Sequence, residues 1–171
     1  MLKAKTPKES YTVTTQQVLP DDTNPLGTLF GGRLMQWMDI TAGISAHRHC
    51  GNVCVTASVN NVSFDYAVKL ADIITLEAKV SRAFKTSLEV HVDVWVEDLI
   101  GGKKTRCNAA ILTFVAVDQQ RNPIPVPPII PETEEDKMRF DGALRRRQLS
   151  LILAGRMKPE DATELKALFG K

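Results

Sequence analysis

Between Asn24 and Asp39 the chain reads Asn-Pro-Leu-Gly-Thr-Leu-Phe-Gly-Gly-Arg-Leu-Met-Gln-Trp-Met-Asp. This short block holds a side-chain amide, a glycine-opened helix start and one carboxylate. Gly31 and Gly32 allow a close backbone approach that a side chain would block. The apolar-rich run from Leu34 to Ala46 follows with helical periodicity. The first amides of a helix have no intrahelical partner, so a polarised carbonyl or an anion can dock on those of Gly31 and Gly32. Asp39 lies about two turns further in, and the spacing puts it on one stripe with Met35, Met38, Ala42 and Ala46. A carboxylate on an apolar stripe is costly to bury without a partner. Two plainer readings stand beside this one. Asn24 also fits the turn-forming run Asp21-Asp22-Thr23-Asn24-Pro25, and Asp39 also fits the solvent edge of its stripe.

Other designs fit less well. The nucleophile elbow G-x-S-x-G occurs nowhere in the chain. His47 and His49 fall near the far end of the helix, away from its free amides, and His91 sits on the polar face of a strand as a solvated side chain. His47, His49, Cys50 and Cys54 crowd together, but H-x-H-C-x3-C matches no dependable zinc spacing. The three cysteines read as small buried hydrophobes, so neither a metal nor a cofactor is expected.

The elements that must position these groups are legible from periodicity. Tyr11 to Val18 reads as a strand, the helix runs to about His49, and Gly51-Asn52 stops it. Val53 to Val62 follows, with Val53, Val55, Ala57 and Val59 expected on one face. Ile73 to Ser81 alternates, and Ser87 to Glu97 does so most clearly, with Leu88, Val90, Val92, Val94 and Val96 against charged or polar neighbours. Gly101-Gly102 turns into a last strand over Thr105 to Asp118. One apolar helix among five strands predicts an α+β fold with the sheet wrapped round the helix. Asn122 to Pro131 is proline-rich and predicts an extended linker. Glu132 to Leu153 predicts a helix, acidic first and basic at Arg145-Arg146-Arg147, with a short second helix over Lys158 to Phe169 and Gly170 after it.

The block from Asn24 to Asp39 resembles the acyl-CoA thioesterases of the hotdog fold, both bacterial short-chain acyl-CoA hydrolases and animal cytosolic ones. The matching residues are Asn24, Gly27, Phe30-Gly31-Gly32 and Met38-Asp39. Val55-Thr56-Ala57-Ser58-Val59 leading to Phe64, Lys85-Thr86-Ser87, and Thr113-Phe114-Val115-Ala116-Val117-Asp118 match as well. Many hotdog proteins carry Gly-Asp before the strand at residue 73, where this chain has Ala71-Asp72. The resemblance implies a hotdog domain over residues 1–125, with a Pro-rich linker and C-terminal helices over 126–171. It implies hydrolysis of fatty acyl-CoA to fatty acid and coenzyme A, by a homodimer further assembled as a trimer of dimers. Asp39 would be general base or nucleophile, Asn24 would orient water or carbonyl, and the Gly31 and Gly32 amides would form the oxyanion hole. Coenzyme A would meet Val55, Thr56, Ala57 and Ser58 through a strand edge. Lys85, Ser87 and Arg106 would meet it near the turn at residues 84–87. Hotdog dehydratases use a histidine near the helix start, which this chain lacks. The rival is a hotdog module that senses acyl-CoA without hydrolysing it.

Composition narrows the field. A chain of 171 residues with 43% hydrophobic and 25% charged residues is ordinary for a single globular domain. A net charge of +2 gives no electrostatic case for a nucleic-acid partner. The arginine triplet lacks the helix-turn-helix that a DNA reader would need. No apolar run approaches the ~20 residues of a membrane span, and the polar Met1–Tyr11 segment has no signal-peptide core. Scattered thiols in odd number favour a reducing compartment; the expectation is a cytoplasmic protein without a membrane partner.

Overall fold

The structure, a computed structural model, describes residues 2–60, 62, 64, 66–98 and 101–168. It divides into two compact units, residues 1–130 and 131–171. In the first, a short helix α1 (Pro7–Ser10) leads into β1 (Thr12–Gln17), and the long helix α2 (Gly31–Cys50) precedes β2 (Val53–Asn60), β3 (Ile73–Ala83), β4 (Ser87–Glu97) and β5 (Lys104–Val117). The strands form one antiparallel sheet in the order β1-β3-β4-β5-β2. All five strands contact α2, so the expected wrapping is present.

Alternation explains the core. Ile74, Leu76, Ala78 and Val80 of β3 and Leu88, Val90, Val92 and Val94 of β4 are fully buried on the face that meets the helix. Ala110, Leu112, Phe114 and Ala116 of β5 continue that layer. The helix answers with Leu34, Met38, Thr41, Ala42, Ser45, Ala46 and His49. This arc differs from the expected stripe. Met35 is 41% exposed, and Asp39 is only half-buried. A helix turns about 100° per residue, so Asp39 falls one step round from Met38 and lands at the edge of the buried arc.

A second departure lies in β2. Its pairing with β5 skips one residue between Thr56 and Ser58. The bulge at Ala57 reverses the alternation after it. Val53 and Val55 therefore pair with Val117 and Val115 on the outer face, while Val59 pairs with the buried Leu112 on the helix face. The four residues do not share a face.

The turn before β3 makes the Ala71 substitution visible. Ala71 has φ +71°, and its N–H donates to the Val18 carbonyl at 2.9 Å. A left-handed backbone costs an L-residue about 1–2 kcal/mol, whereas glycine loses about 0.5–1 kcal/mol in chain entropy. Ala71→Gly should therefore stabilise the protein slightly and raise its midpoint of thermal unfolding by about 2 °C. A lower midpoint by calorimetry would show that the methyl group's packing outweighs the strain.

The proline-rich stretch is extended but is no free linker over its length. The Val126 N–H donates to the Lys85 carbonyl at 3.1 Å, the Lys5 N–H to the Pro128 carbonyl at 2.9 Å, and the Ile130 N–H back to the Lys5 carbonyl at 2.9 Å. His49 Nε2 donates to the Pro127 carbonyl at 2.8 Å. These bonds hold residues 126–130 to the first unit, so the boundary expected at 125 falls after Ile130.

The second unit holds α3 (Glu134–Leu153) and a short α4 (Thr163–Lys166). Thr133 caps α3 by accepting the Asp136 N–H at 3.1 Å, and Asp136 returns the bond to the Thr133 N–H. The expected charge polarity holds only at the acidic start. Arg145 to Arg147 sit about two turns before the end at Leu153, and the last turn carries no basic residue. The expected second helix breaks into a 3₁₀ turn, Pro159–Asp161, and α4; its last positions, Phe169 and Gly170, lie outside the described residues.

Candidate active site

The loop before α2 is built around Asn24. Gly27, at φ +71°, turns the chain so that its N–H meets the Asn24 carbonyl and the Asn24 N–H meets the Thr28 carbonyl. The Asn24 side chain is fixed from inside this loop. Its Oδ1 accepts the Leu26 N–H at 2.9 Å and the Thr28 N–H at 3.3 Å, and its Nδ2 donates to Thr28 Oγ1 at 2.8 Å. Both lone pairs of the carbonyl are thus engaged, and one N–H remains to donate. Asn24 is both the turn residue of the plainer reading and a poised donor. The loop is tied to the helix start by the Phe30 N–H on the Asp22 carbonyl and by Arg33 Nε on Asp22 Oδ1 at 2.9 Å.

Phe30 precedes α2 and its side chain cannot cap it. The Arg33 and Leu34 N–H groups both turn back to the Phe30 carbonyl. The amides of Gly31 and Gly32 have no acceptor among the described residues. The two glycines differ in what requires them. A Cβ on Gly31 would stand 3.2 Å from the Phe64 ring, whereas one on Gly32 would meet nothing within 4 Å. The close approach inferred for both is made inside the chain only at Gly31.

Asp39 has a partner that periodicity does not reveal. Thr56 Oγ1, on the helix face of β2, donates to Asp39 Oδ1 at 2.6 Å. That bond fixes the carboxylate's rotation and leaves Oδ2 to accept a proton. No hydrogen bond among the described residues joins Asp39 to Asn24. From Gly31 to Asp39 the helix rises about 12 Å, so the free amides and the carboxylate of one chain do not converge on one carbonyl.

The residues expected to meet coenzyme A are only partly brought together. Val55 to Ser58 lie on β2, a sheet edge. Lys85 is exposed in the β3–β4 turn, and Ser87 beside it is buried. Arg106 is not near that turn. It pairs with Trp95 across the sheet, whereas Ser87 pairs with Val115, a separation of about 30 Å at the usual strand rise. Its guanidinium bonds Asp93. The β4–β5 hairpin carries Arg106 to the opposite end of β4. His91 is also on the outer face, but with only 13% of its side chain exposed and 3.8 Å from Asp93. Among the described residues no three metal-ligating side chains cluster. His47 Nδ1 is 3.0 Å from the Asn52 carbonyl.

Known proteins resemble this chain in sequence and in fold. Residues 26–102 match the model of the thioesterase superfamily. An uncharacterized acyl-CoA thioester hydrolase of Bacillus subtilis (strain 168), YkhA, is 44% identical over 139 residues, which is 81% of each chain. The chain belongs to the acyl-CoA hydrolases of the thioesterase superfamily. It is 40% identical to acyl-coenzyme A thioesterase 11 of Mus musculus over 84% of its own length, and spans 24% of that larger protein. Among solved structures, the acyl-CoA hydrolase of Bacillus cereus superposes with a TM-score of 0.86 at 38% identity, covering 97% of this chain and 98% of that one. An apo-hexameric acyl-CoA thioesterase gives 0.86 at 37% identity, covering 90% and 98%. The Staphylococcus aureus acyl-CoA hydrolase, in complex with butyryl coenzyme A, coenzyme A and coenzyme A disulfide, gives 0.81 at 36% identity, covering 96% and 99%. That hydrolase has also been solved with an aspartate, an asparagine or a threonine replaced by alanine. The fold is therefore the hotdog fold, with a helical C-terminal extension, and the chain is a thioester hydrolase. Among the described residues no helix is long and apolar enough to cross a membrane.

Proposed function

We propose that the protein hydrolyses acyl-CoA to a carboxylic acid and coenzyme A at a site completed by two copies of the chain. The observation that carries this reading is the Thr56-to-Asp39 hydrogen bond, set against the distance from Asp39 to the free amides of its own helix. One protomer supplies Asn24 and the Gly31 and Gly32 amides; the other supplies Asp39 and Thr56. A thioester is already activated, so a positioned water, a proton acceptor and oxyanion donors suffice. Asp39 Oδ2 takes the proton from water, or attacks the carbonyl directly. Asn24 acts with its one spare N–H, and the glycine amides receive the developing negative charge. The aspartate, asparagine and threonine altered in the Staphylococcus aureus hydrolase are the same three residue types.

The shared site accounts for surface that a monomer leaves uncovered. Met35, Ile40 and Ile44 of α2 and Val53 and Val55 of β2 are exposed apolar side chains, and β2 is an open strand edge that invites pairing. A second copy covers them, and three such dimers make a hexamer. The bulge divides the edge, so that Val53 to Val55 meet the partner and the backbone of Thr56, Ala57 and Ser58 holds the pantetheine arm. Lys85, exposed in the β3–β4 turn, is the cation that meets phosphate in this reading. The buried Ser87 and the distant Arg106 take no part. The reading needs no metal and no resident cofactor, since coenzyme A enters with the substrate, and it suits the cytoplasm.

The test is thiol release from acyl-CoA esters of increasing chain length, with and without chelator. Hydrolysis that chelator leaves unchanged is expected. Coenzyme A binding without thiol release from any ester would make the protein a sensing module instead. Activity lost to chelator and restored by zinc would point back to His47 and Cys50.

A further inference from the structure

Outside the proposed site, two thiols stand closer than packing needs. Cys50, the last residue of α2, and Cys54, on β2, are free cysteines with their sulfurs 3.0 Å apart. The approach is built by the turn between them. Gly51 takes φ +70°, the Asn52 N–H donates to Cys50 Sγ at 3.3 Å, and Asn52 Nδ2 donates to the Cys50 carbonyl at 3.1 Å.

We infer that Cys50 and Cys54 are a redox-active pair, oxidised by a small hydroperoxide to a disulfide that clamps the end of α2 to the start of β2. Disulfide bond length is about 2.05 Å, so closure asks for about 1 Å of movement. Cys50 is 8% exposed, which admits a small peroxide more readily than a bulky disulfide. The hydrogen bond from Cys54 holds the Cys50 thiol down, at about 6, against the opposing effect of burial. The same contact and burial push the Cys54 thiol up. The Cys50 thiolate attacks one peroxide oxygen, the O–O bond breaks and hydroxide leaves, giving a sulfenic acid. The Cys54 sulfur then attacks the Cys50 sulfur; the S–O bond breaks, and the departing hydroxide takes the Cys54 proton. The two thiols lose two electrons, and hydrogen peroxide becomes two waters, the first hydroxide taking up the proton that Cys50 gave up on ionising; an organic hydroperoxide gives a water and an alcohol. Cys107 offers the contrast: burial pushes its thiol up to about 11, and its sulfur donates to the Val94 carbonyl at 3.5 Å.

The clamp bears on catalysis through the elements it joins. Cys54 and Thr56 lie two residues apart on one face of β2, before the bulge, and Thr56 holds Asp39 of α2. Resting on the hydrolase reading, the disulfide shifts β2 against α2 and lowers kcat roughly tenfold.

The experiment treats the reduced full-length protein with hydrogen peroxide and counts free thiols before and after. The three thiols should fall to one, the peptide holding Cys50 and Cys54 should lose about 2 Da for the two hydrogens of a closed disulfide, and kcat should fall. Dithiothreitol should restore all three quantities. Cys54→Ser should form no bridge and leave a Cys50 sulfenic acid that dimedone traps. Three surviving thiols, prior loss of Cys107, or a verified bridge at unchanged kcat would each overturn the proposal. A reduced protein that hydrolyses no acyl-CoA would instead sink the hydrolase reading, with the thiol count still deciding the bridge.

Discussion

Asp39→Ala should lower kcat for acyl-CoA hydrolysis on the order of 10²-fold or more, the usual cost of losing a positioned base. Its carboxylate is half-buried at the edge of the helix core, so the alanine variant should fold normally. Coenzyme A affinity, measured by calorimetry, should change little, because the proposed site holds the nucleotide away from α2. Thr56→Val separates the carboxylate from its orientation. It removes the 2.6 Å bond while keeping the side chain's volume, and loss of a hydrogen bond to a charged group costs about 1.5–3 kcal/mol. A fall in kcat of roughly tenfold or more is expected, with no comparable change in KM. Asp39→Ala retaining the wild-type rate would remove Asp39 from the chemistry altogether.

Asn24→Ala should be as damaging, for a reason the loop makes specific. The Oδ1 and one N–H of this amide are consumed in holding residues 24–28, and the proposed mechanism uses the spare N–H. Asn24→Asp keeps the acceptors but has no N–H, so it should fail nearly as badly while disturbing the loop less. Each inactive variant retains the half of the site that the other lacks. Subunit exchange between Asn24→Ala and Asp39→Ala proteins should therefore restore part of the thiol-release activity, since each mixed dimer holds one site with both residues intact. Verified mixed dimers as inactive as their parents would refute the shared site, although Asp39 could still act within one subunit.

The sequence discloses this protein where one element's own pattern decides the outcome. Ser87 to Glu97 alternates without interruption and forms β4 between those residues. The turn built on Asn24 and Gly27 and the helix start at Gly31 are likewise legible, being fixed by a short loop. What stays hidden depends on relations between elements. The bulge at Ala57 moves Val59 to the other face of β2, and no residue of β2 advertises it, because the extra position is set by pairing with β5. The partnership of Thr56 with Asp39 spans two elements and carries no periodic signature. Arg106 misleads for a related reason: nearness to a turn in sequence is undone by a long hairpin that carries the residue to the other end of the sheet.

The bonds that Lys5 makes with Pro128 and Ile130 constrain how the chain acquires its form during synthesis. The segment made first in this unit is fastened by the segment made last, and such distant closures are slow because the intervening chain must first be ordered. β1 can join β3 once residue 83 has left the ribosome, yet β2 must wait, unpaired, for β5. During that interval the exposed valines of β2 are available to a neighbouring nascent copy. The strand edge proposed to join two copies in the finished enzyme is thus the place where crowded, half-made chains would first adhere to one another.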